Sequence, residues 1–358
     1  MTGSSAARQM LSMPSGWLAA YDDYITRNAS QVSQMESALR SLTYIIPGRF
    51  RDAEMASESI HSSVQLLSLY HDVILARAAP CPATRSPQAR YTSYWARTSS
   101  LYRRAALLLQ VVSYTQLLLE MGARRRGGER ARWRVVVLVE AAKAACRVVM
   151  MRATRARCGV WPPLPERETG GREEEEEEEE QEHKGEWVMP RTGLKLPWMP
   201  DAESVNGYLL DRVVTADDIK PPRRLVNRLS GTAYASEVLY LLIPLIYALA
   251  LARSSSSSSS SSRSRSPPSW SPWLLALALE YTARHLYTDS SLRASPLERH
   301  EWHRRAWAMA GWCMRGAFYA RVTGPAVRGV AARLPGLLAG VVHDYDYLWA
   351  NYYFSTSP

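Results

Sequence analysis

Between Ala29 and Ala76 apolar residues fall at helical spacing twice over, and this limits the possible folds more than any other feature of the chain. Val32, Met35, Leu39, Leu42 and Ile46 recur at three- and four-residue steps, which puts them on one face of an α-helix. Ser30, or Asn28 before it, is a suitable N-cap, and the formal glycosylation sequon Asn28-Ala29-Ser30 is read as that cap. Pro47 pushes Ile46 out of helical geometry, and Gly48 tolerates the turn that follows. Asp52 then caps a second helix, which carries Ile60, Val64, Leu67 and Ile74 with Leu66, Leu69 and Val73 beside them. An apolar face this broad predicts either a buried pair in a helical bundle or a pair lying against lipid.

Helical patterning continues along the chain. Ser99–Met121 is apolar on nearly every side. Its uncharged stretch Ala105–Leu119 spans roughly 22 Å at about 1.5 Å per residue, against the ~30 Å of a bilayer core. Val135–Met151 carries a polar stripe of Glu140, Lys143 and Arg147. Three ionisable groups are costly inside a bilayer, so this helix is expected to lie on a membrane or pack on its neighbour. Val238–Ala252 is the longest charge-free run, at 15 residues, and Pro244 is predicted to kink it. No run reaches a clean ~20-residue span, so integral and peripheral attachment both stay open.

Strand signals are scarce. The fold class expected is therefore all-α: a membrane-associated helical bundle in two halves joined by a disordered linker. Residues 1–15 are expected to be disordered, and 16–158 to form the N-terminal helical half. Residues 159–204 are an acidic, Pro-rich linker whose eight-glutamate run, Glu173–Glu180, repels itself and stays solvated. Residues 205–358 form the C-terminal helical half, with a polyserine insert over 253–269 that is read as a flexible loop.

A formal net charge of +10 points to an acidic partner, anionic lipid or nucleic acid. Aromatic usage is skewed, with 12 Trp and 19 Tyr against 3 Phe. Trp and Tyr have a polar end and are favoured where apolar surface meets water. Arg124, Arg125, Arg126, Arg130, Arg132 and Arg134 place six guanidinium groups in eleven residues around a flexible Gly127-Gly128 bend. They are the candidate lipid-headgroup or membrane-surface residues, on the cytosolic side if the flanking helices form a membrane hairpin. The same segment suits nucleic acid as an arginine-rich element, or serves as a solvated turn. Gly336-x-x-x-Gly340 permits close helix approach. Tyr345–Phe354 packs six aromatics into ten residues, as a packed tail or a partner-binding edge.

Catalytic constellations are missing from the pattern. His300-Glu301-x-His303 lacks the spacing of a zinc-protease helix, and no phosphate-binding glycine motif occurs. Cys81, Cys146, Cys158 and Cys313 are far apart, which fits a reducing compartment rather than a disulfide or zinc framework. No secretory h-region and no S-K-L type C-terminus is expected. The expectation is no catalysis, no cofactor, no metal and no small-molecule substrate.

Several long segments carry a family resemblance: Tyr21–Ala29, Glu36–Phe50, Leu66–Asp72, Arg132–Ala142, Arg228–Tyr247, Ala306–Thr323 and Leu348–Ser355. Together they resemble the peroxin-16 family of peroxisomal membrane biogenesis proteins, its fungal branch most closely. The residues carrying the signature are Gly48, Arg49, Phe50, Tyr70, His71, Asp72, Trp133, Glu237, Trp349, Tyr352, Tyr353 and Phe354. The resemblance implies a peroxisome biogenesis factor in the peroxisomal membrane, with the endoplasmic reticulum as a route. It implies work in membrane assembly and membrane-protein targeting by recruitment. The implied partners are membrane lipid and proteins of the peroxin-3 and peroxin-19 type, with no nucleic acid. Read from residues alone, a nucleic-acid-binding helical protein using Arg124–Arg134 and a soluble helical scaffold remain as alternatives.

Overall fold

The computed structural model describes residues 20–45, 54–78, 87–156, 162–165, 187–188, 195–196, 220–229, 231–258, 269–287 and 295–356. Among these the architecture is all-α. A helix over 20–27 (α1) leads into Ala29–Ile45 (α2) with only a bend at Asn28. The expected cap at Asn28 or Ser30 is instead crossed by backbone bonds, Asn28 N to Tyr24 O and Val32 N to Asn28 O, each 3.0 Å. Glu54–Ala78 (α3) and Pro87–Thr98 (α4) follow.

Ser99 then caps the longest helical run, Ser100–Thr154, by accepting a bond from the Tyr102 N–H. The run breaks at a single residue, Gly128, whose φ of 67° and ψ of −164° belong to a region open essentially to glycine. Residues 100–127 (α5) and 129–154 (α6) thus fold back as a hairpin. Tyr102, Ala105, Ala106 and Leu109 of one arm pack on Cys146 and Met150 of the other. The expected flexible arginine loop is therefore mostly helix, turned at Gly128.

Thr232–Ser258 (α7) runs through Pro244 and on into the serine tract, so Ser254–Ser258 continue the helix rather than form a loop. Ser254 and Ser255 each donate a hydroxyl back to a carbonyl three residues earlier, Leu251 and Ala252, both at 2.9 Å. Trp270–Tyr287 (α8) packs along α7, and the Ser236 hydroxyl donates to Ala283 O at 2.6 Å. Pro296–Ala308 (α9) starts with a capping box between Ser295 and Glu298. A 3-10 turn over Met309–Met314 follows, then a helix over 316–331 with a π-turn inside it (α10), and Gly336–Asn351 (α11).

The central core joins both halves. Val136 and Val139 of α6 meet Ile243, Tyr247 and Ala248 of α7, Ala276 and Ala283 of α8, Trp312, Tyr353 and Phe354. Tyr247 stands edge-on to Trp312 at 5.1 Å. Gly316, at φ 56°, lets the chain pass so close to Tyr247 that a Cβ there would lie 2.7 Å from the phenol oxygen. A single bridge between Ala156 and Arg228 further ties the end of α6 to the approach of α7. Most of residues 159–204 lie outside the described residues. Within that span Trp187–Val188 pairs antiparallel with Lys195–Leu196.

Candidate functional site

The first feature is an inverted helix. Among the described side chains of α2 the buried one is Glu36, while Met35, Leu39 and Leu42 are 65%, 43% and 52% exposed. Of the two arrangements the spacing allowed, buried pair or lipid-facing pair, these three positions take the outward one, while Val32 is half-buried. What docks α2 on α3 is polar: Glu36 accepts from the Ser68 hydroxyl at 2.8 Å and pairs with His71 Nδ1. Tyr21 Oη bonds His71 Nε2 at 2.8 Å, and Arg40 donates to Ser68 at 3.2 Å. On α3, too, Ser62, Ser68 and His71 are buried beside Leu69 and Ile74, while Ile60 and Leu67 are exposed. Ser62 donates to Tyr114 O of α5 at 3.0 Å. Burial pushes the nearby Glu58 carboxyl up from 4.5 to about 7, against a lowering hydrogen bond from Ser62.

Of the signature residues here, Tyr70 donates to Asp22 at 2.9 Å, His71 is the buried hub, and Asp72 is half-buried beside them. Gly48, Arg49 and Phe50 lie outside the described residues, as do Ile46, Pro47 and Asp52.

The second feature is the hairpin turn and the chain's aromatic tail. Glu120 is fully buried at the end of α5. Its carboxylate accepts from Arg132 Nε at 2.8 Å and from the backbone N–H of Tyr353 and Phe354 at 2.8 and 2.9 Å. Arg124 donates to Asn351 O at 3.3 Å and lies 5.2 Å from the Tyr352 ring. Arg132 sits 5.0 Å over Trp133, which in turn meets Tyr353 edge-on at 6.4 Å. Two of the six candidate arginines, Arg124 and Arg132, therefore hold the tail in place. Arg125, Arg126, Arg130 and Arg134 are exposed around the turn, Arg125 touching Met55 Sδ at 3.8 Å. The structure brings Trp133, Tyr352, Tyr353 and Phe354 together, with Trp349 one turn away against Tyr319 and Tyr345.

The third feature is a cavity of about 700 Å³ bounded by α6, α7, α9, Trp312 and the tail. Its polar wall holds paired ions. Lys143 lies 2.8 Å from Glu140 and 4.9 Å from the Phe354 ring centre, and burial pushes its amine down while Glu140 opposes. Arg305 forks onto Glu237 at 2.6 and 2.9 Å and reaches Glu301 at 2.9 Å. Burial works against its charge, but the Glu237 and Glu301 carboxylates outweigh it and hold the guanidinium above its ordinary value. The signature residue Glu237 is thus an internal counter-ion. Glu301 belongs to Arg304 and Arg305, while His300 and His303 point to solvent and are exposed.

Sequence reasoning missed Glu36, Glu120 and the Glu237–Arg305 pair as organising groups. The available signal was a lone acid inside or beside an apolar run, as at Glu120 after Leu117–Leu119.

Among the described residues one helix is long and apolar enough to cross a membrane, Thr232–Ser255, 24 residues within α7. These features define an all-α bundle with ion pairs held in its interior and apolar side chains exposed on the outer faces of α2 and α3. The family model for the peroxisomal membrane protein Pex16 matches residues 19–351, and the chain belongs to that family. It is similar to peroxisomal membrane protein PEX16 of Schizosaccharomyces pombe, 24% identical over 275 residues and covering 74% of each chain. It is also similar to peroxisome biogenesis protein 16 of Arabidopsis thaliana, 21% identical over 347 residues, 86% of this chain and 89% of that one. No solved structure matches. As a Pex16-family member the protein is located in the peroxisomal membrane.

Proposed function

We propose that this protein acts in peroxisomal membrane assembly and membrane-protein targeting, by binding and recruitment rather than by catalysis. The observation that supports this best is the inversion of α2, with its apolar stripe facing out and a carboxylate facing in. A soluble bundle gains stability by the opposite arrangement, since each large aliphatic side chain buried contributes about 1.5–3 kcal/mol. An exposed Met35-Leu39-Leu42 stripe suits acyl chains or the apolar groove of another protein. The exposed arginines at the α5–α6 turn suit anionic headgroups, each contributing about 1 kcal/mol near such a surface. Proteins of the peroxin-3 and peroxin-19 type are the partners that the family resemblance implies. Tyr353 and Phe354 are buried in the core, while the outer faces of α2 and α3 carry exposed Met35, Leu39, Leu42, Ile60 and Leu67 that suit such partners.

Deleting the gene and imaging a peroxisomal membrane marker tests the reading. Loss of marker-positive organelles is expected, restored by the wild-type chain and not by one carrying Leu39→Glu and Leu42→Glu. Normal organelles in the deletant would refute the role. Full rescue by the double variant would remove the outer face of α2 from it.

A further inference from the structure

We propose that the cavity between α6, α7, α9 and the tail is a binding site for a phosphate-bearing ligand, and that a phospholipid headgroup fits it better than free phosphate. This goes beyond the recruitment role and does not depend on it.

The cavity wall carries charges of both signs. Lys143 is matched by Glu140, Arg304 and Arg305 by Glu301 and Glu237, and the remaining wall carboxylate, Glu280, by Arg284 and the Trp312 indole N–H. Two cations are left over. Arg315 is 7% exposed and spends its donors on a neutral group, the Thr356 carbonyl, at 3.0 and 2.8 Å. Arg147, half-buried one helical turn beyond Lys143, lines the same space. Among the described residues neither forms an ion pair with a carboxylate. Both guanidinium groups act to lower the Lys143 amine, so the three cations converge on one region. A guanidinium held out of water without a counter-ion is costly, and a planar fork of N–H donors matches phosphate oxygens.

The remaining walls suit the rest of a lipid. Ile243, Pro244, Met314 and Trp349 give an apolar side, and the volume of about 700 Å³ lies in the range of small-ligand sites. Trp307, also on the cavity wall, is 80% exposed, as an indole at a lipid–water boundary would be. A phosphate monoester or diester supplies the missing negative charge, and its glycerol and first methylenes fill the apolar side.

The test uses the full chain purified in a non-ionic detergent, titrated with dihexanoyl phosphatidic acid, dihexanoyl phosphatidylcholine and inorganic phosphate, and read by calorimetry and tryptophan fluorescence. Phosphatidic acid is expected to saturate one site with at least about tenfold preference over the choline lipid, because only the former carries net charge. Arg147→Gln is expected to weaken it about tenfold. Gly311→Leu points a side chain into open space on the cavity wall and is expected to block binding. It leaves Arg147 and Arg315 in place, so it also serves should Arg147→Gln misfold; circular dichroism and melting check that each variant is folded. Equal affinity for inorganic phosphate, still lost in both variants, would support the site with free phosphate as its source. No saturable binding, or binding indifferent to both variants, would overturn the proposal.

Discussion

The α2–α3 pair and the α6–α7 pair hold together by opposite means. At α2–α3 the contact is Glu36, Ser68 and His71, joined by Tyr21 of α1, and Met35, Leu39, Leu42, Ile60 and Leu67 face out. At α6–α7 the contact is Val136, Val139, Ile243 and Tyr247, joined by Trp312 and the tail aromatics, and the ions sit at the cavity wall beside it. A hydrogen-bonded polar seam fixes a geometry but contributes little net free energy per bond, about 0.5–1.5 kcal/mol. An apolar seam contributes in proportion to buried area. The first pair therefore suits a surface that must meet lipid or a partner, and the second suits a scaffold.

The contrast is open to direct attack. The largest effect is expected from Tyr247→Ala, which empties the centre of the aromatic core and should cost about 3–5 kcal/mol in thermal unfolding of the detergent-solubilised protein. A cost below ~1 kcal/mol would mean that α6–α7 is not the scaffold. Next comes Glu58→Gln. The folded-state pKa of Glu58 is raised, from 4.5 to about 7, so ionisation weakens the fold as pH climbs through that window. The variant should match wild type below about pH 4.5 and become more stable above it, by at most about 1.4 kcal/mol per pH unit within the window and at most about 3.5 kcal/mol by pH 8. Melting curves at pH 4.5 and 8 measure this, and a constant offset would contradict it.

Glu36→Ala should cost about 2 kcal/mol, because Ser68 and His71 stay buried without their acceptor. Limited proteolysis should then release α2 first, and a variant as resistant as wild type would contradict the polar seam. The smallest effect is expected from Leu39→Ala, within about 0.5 kcal/mol of wild type, since the side chain is already 43% exposed. The same variant should reduce liposome flotation. A loss of stability like that of Tyr247→Ala, with flotation unchanged, would erase the distinction between the two pairs.

Helix positions were readable because periodicity is local. The α2 and α3 helices, the Val135–Met151 helix and the helix over Val238–Ala252 all lie where spacing put them. Two boundaries moved for local reasons as well: only Gly128 leaves helical geometry in the arginine segment, and helix-compatible serines let α7 run to Ser258. The candidate site was less readable. Arg124 and Arg132 looked equivalent to their four neighbours, yet they bind the Asn351 carbonyl and the Glu120 carboxylate. Their partners, in Arg124's case, stand 227 residues away, and no spacing rule reaches that far.

The sequence by itself determined that the chain is helical, that it belongs with the Pex16 family, and that arginines and indoles gather at the ends of its apolar runs. Only the tertiary structure decided which face of each helix is inside. An amphipathic pattern states that two faces differ in affinity for water, and is silent on which one the neighbours cover. That choice depends on where partners such as His71 and Glu36, or Arg305 and Glu237, meet across the fold. Once a carboxylate finds its hydrogen-bond partners in the interior, burying it ceases to be prohibitive, and the leucines opposite are left to face outward.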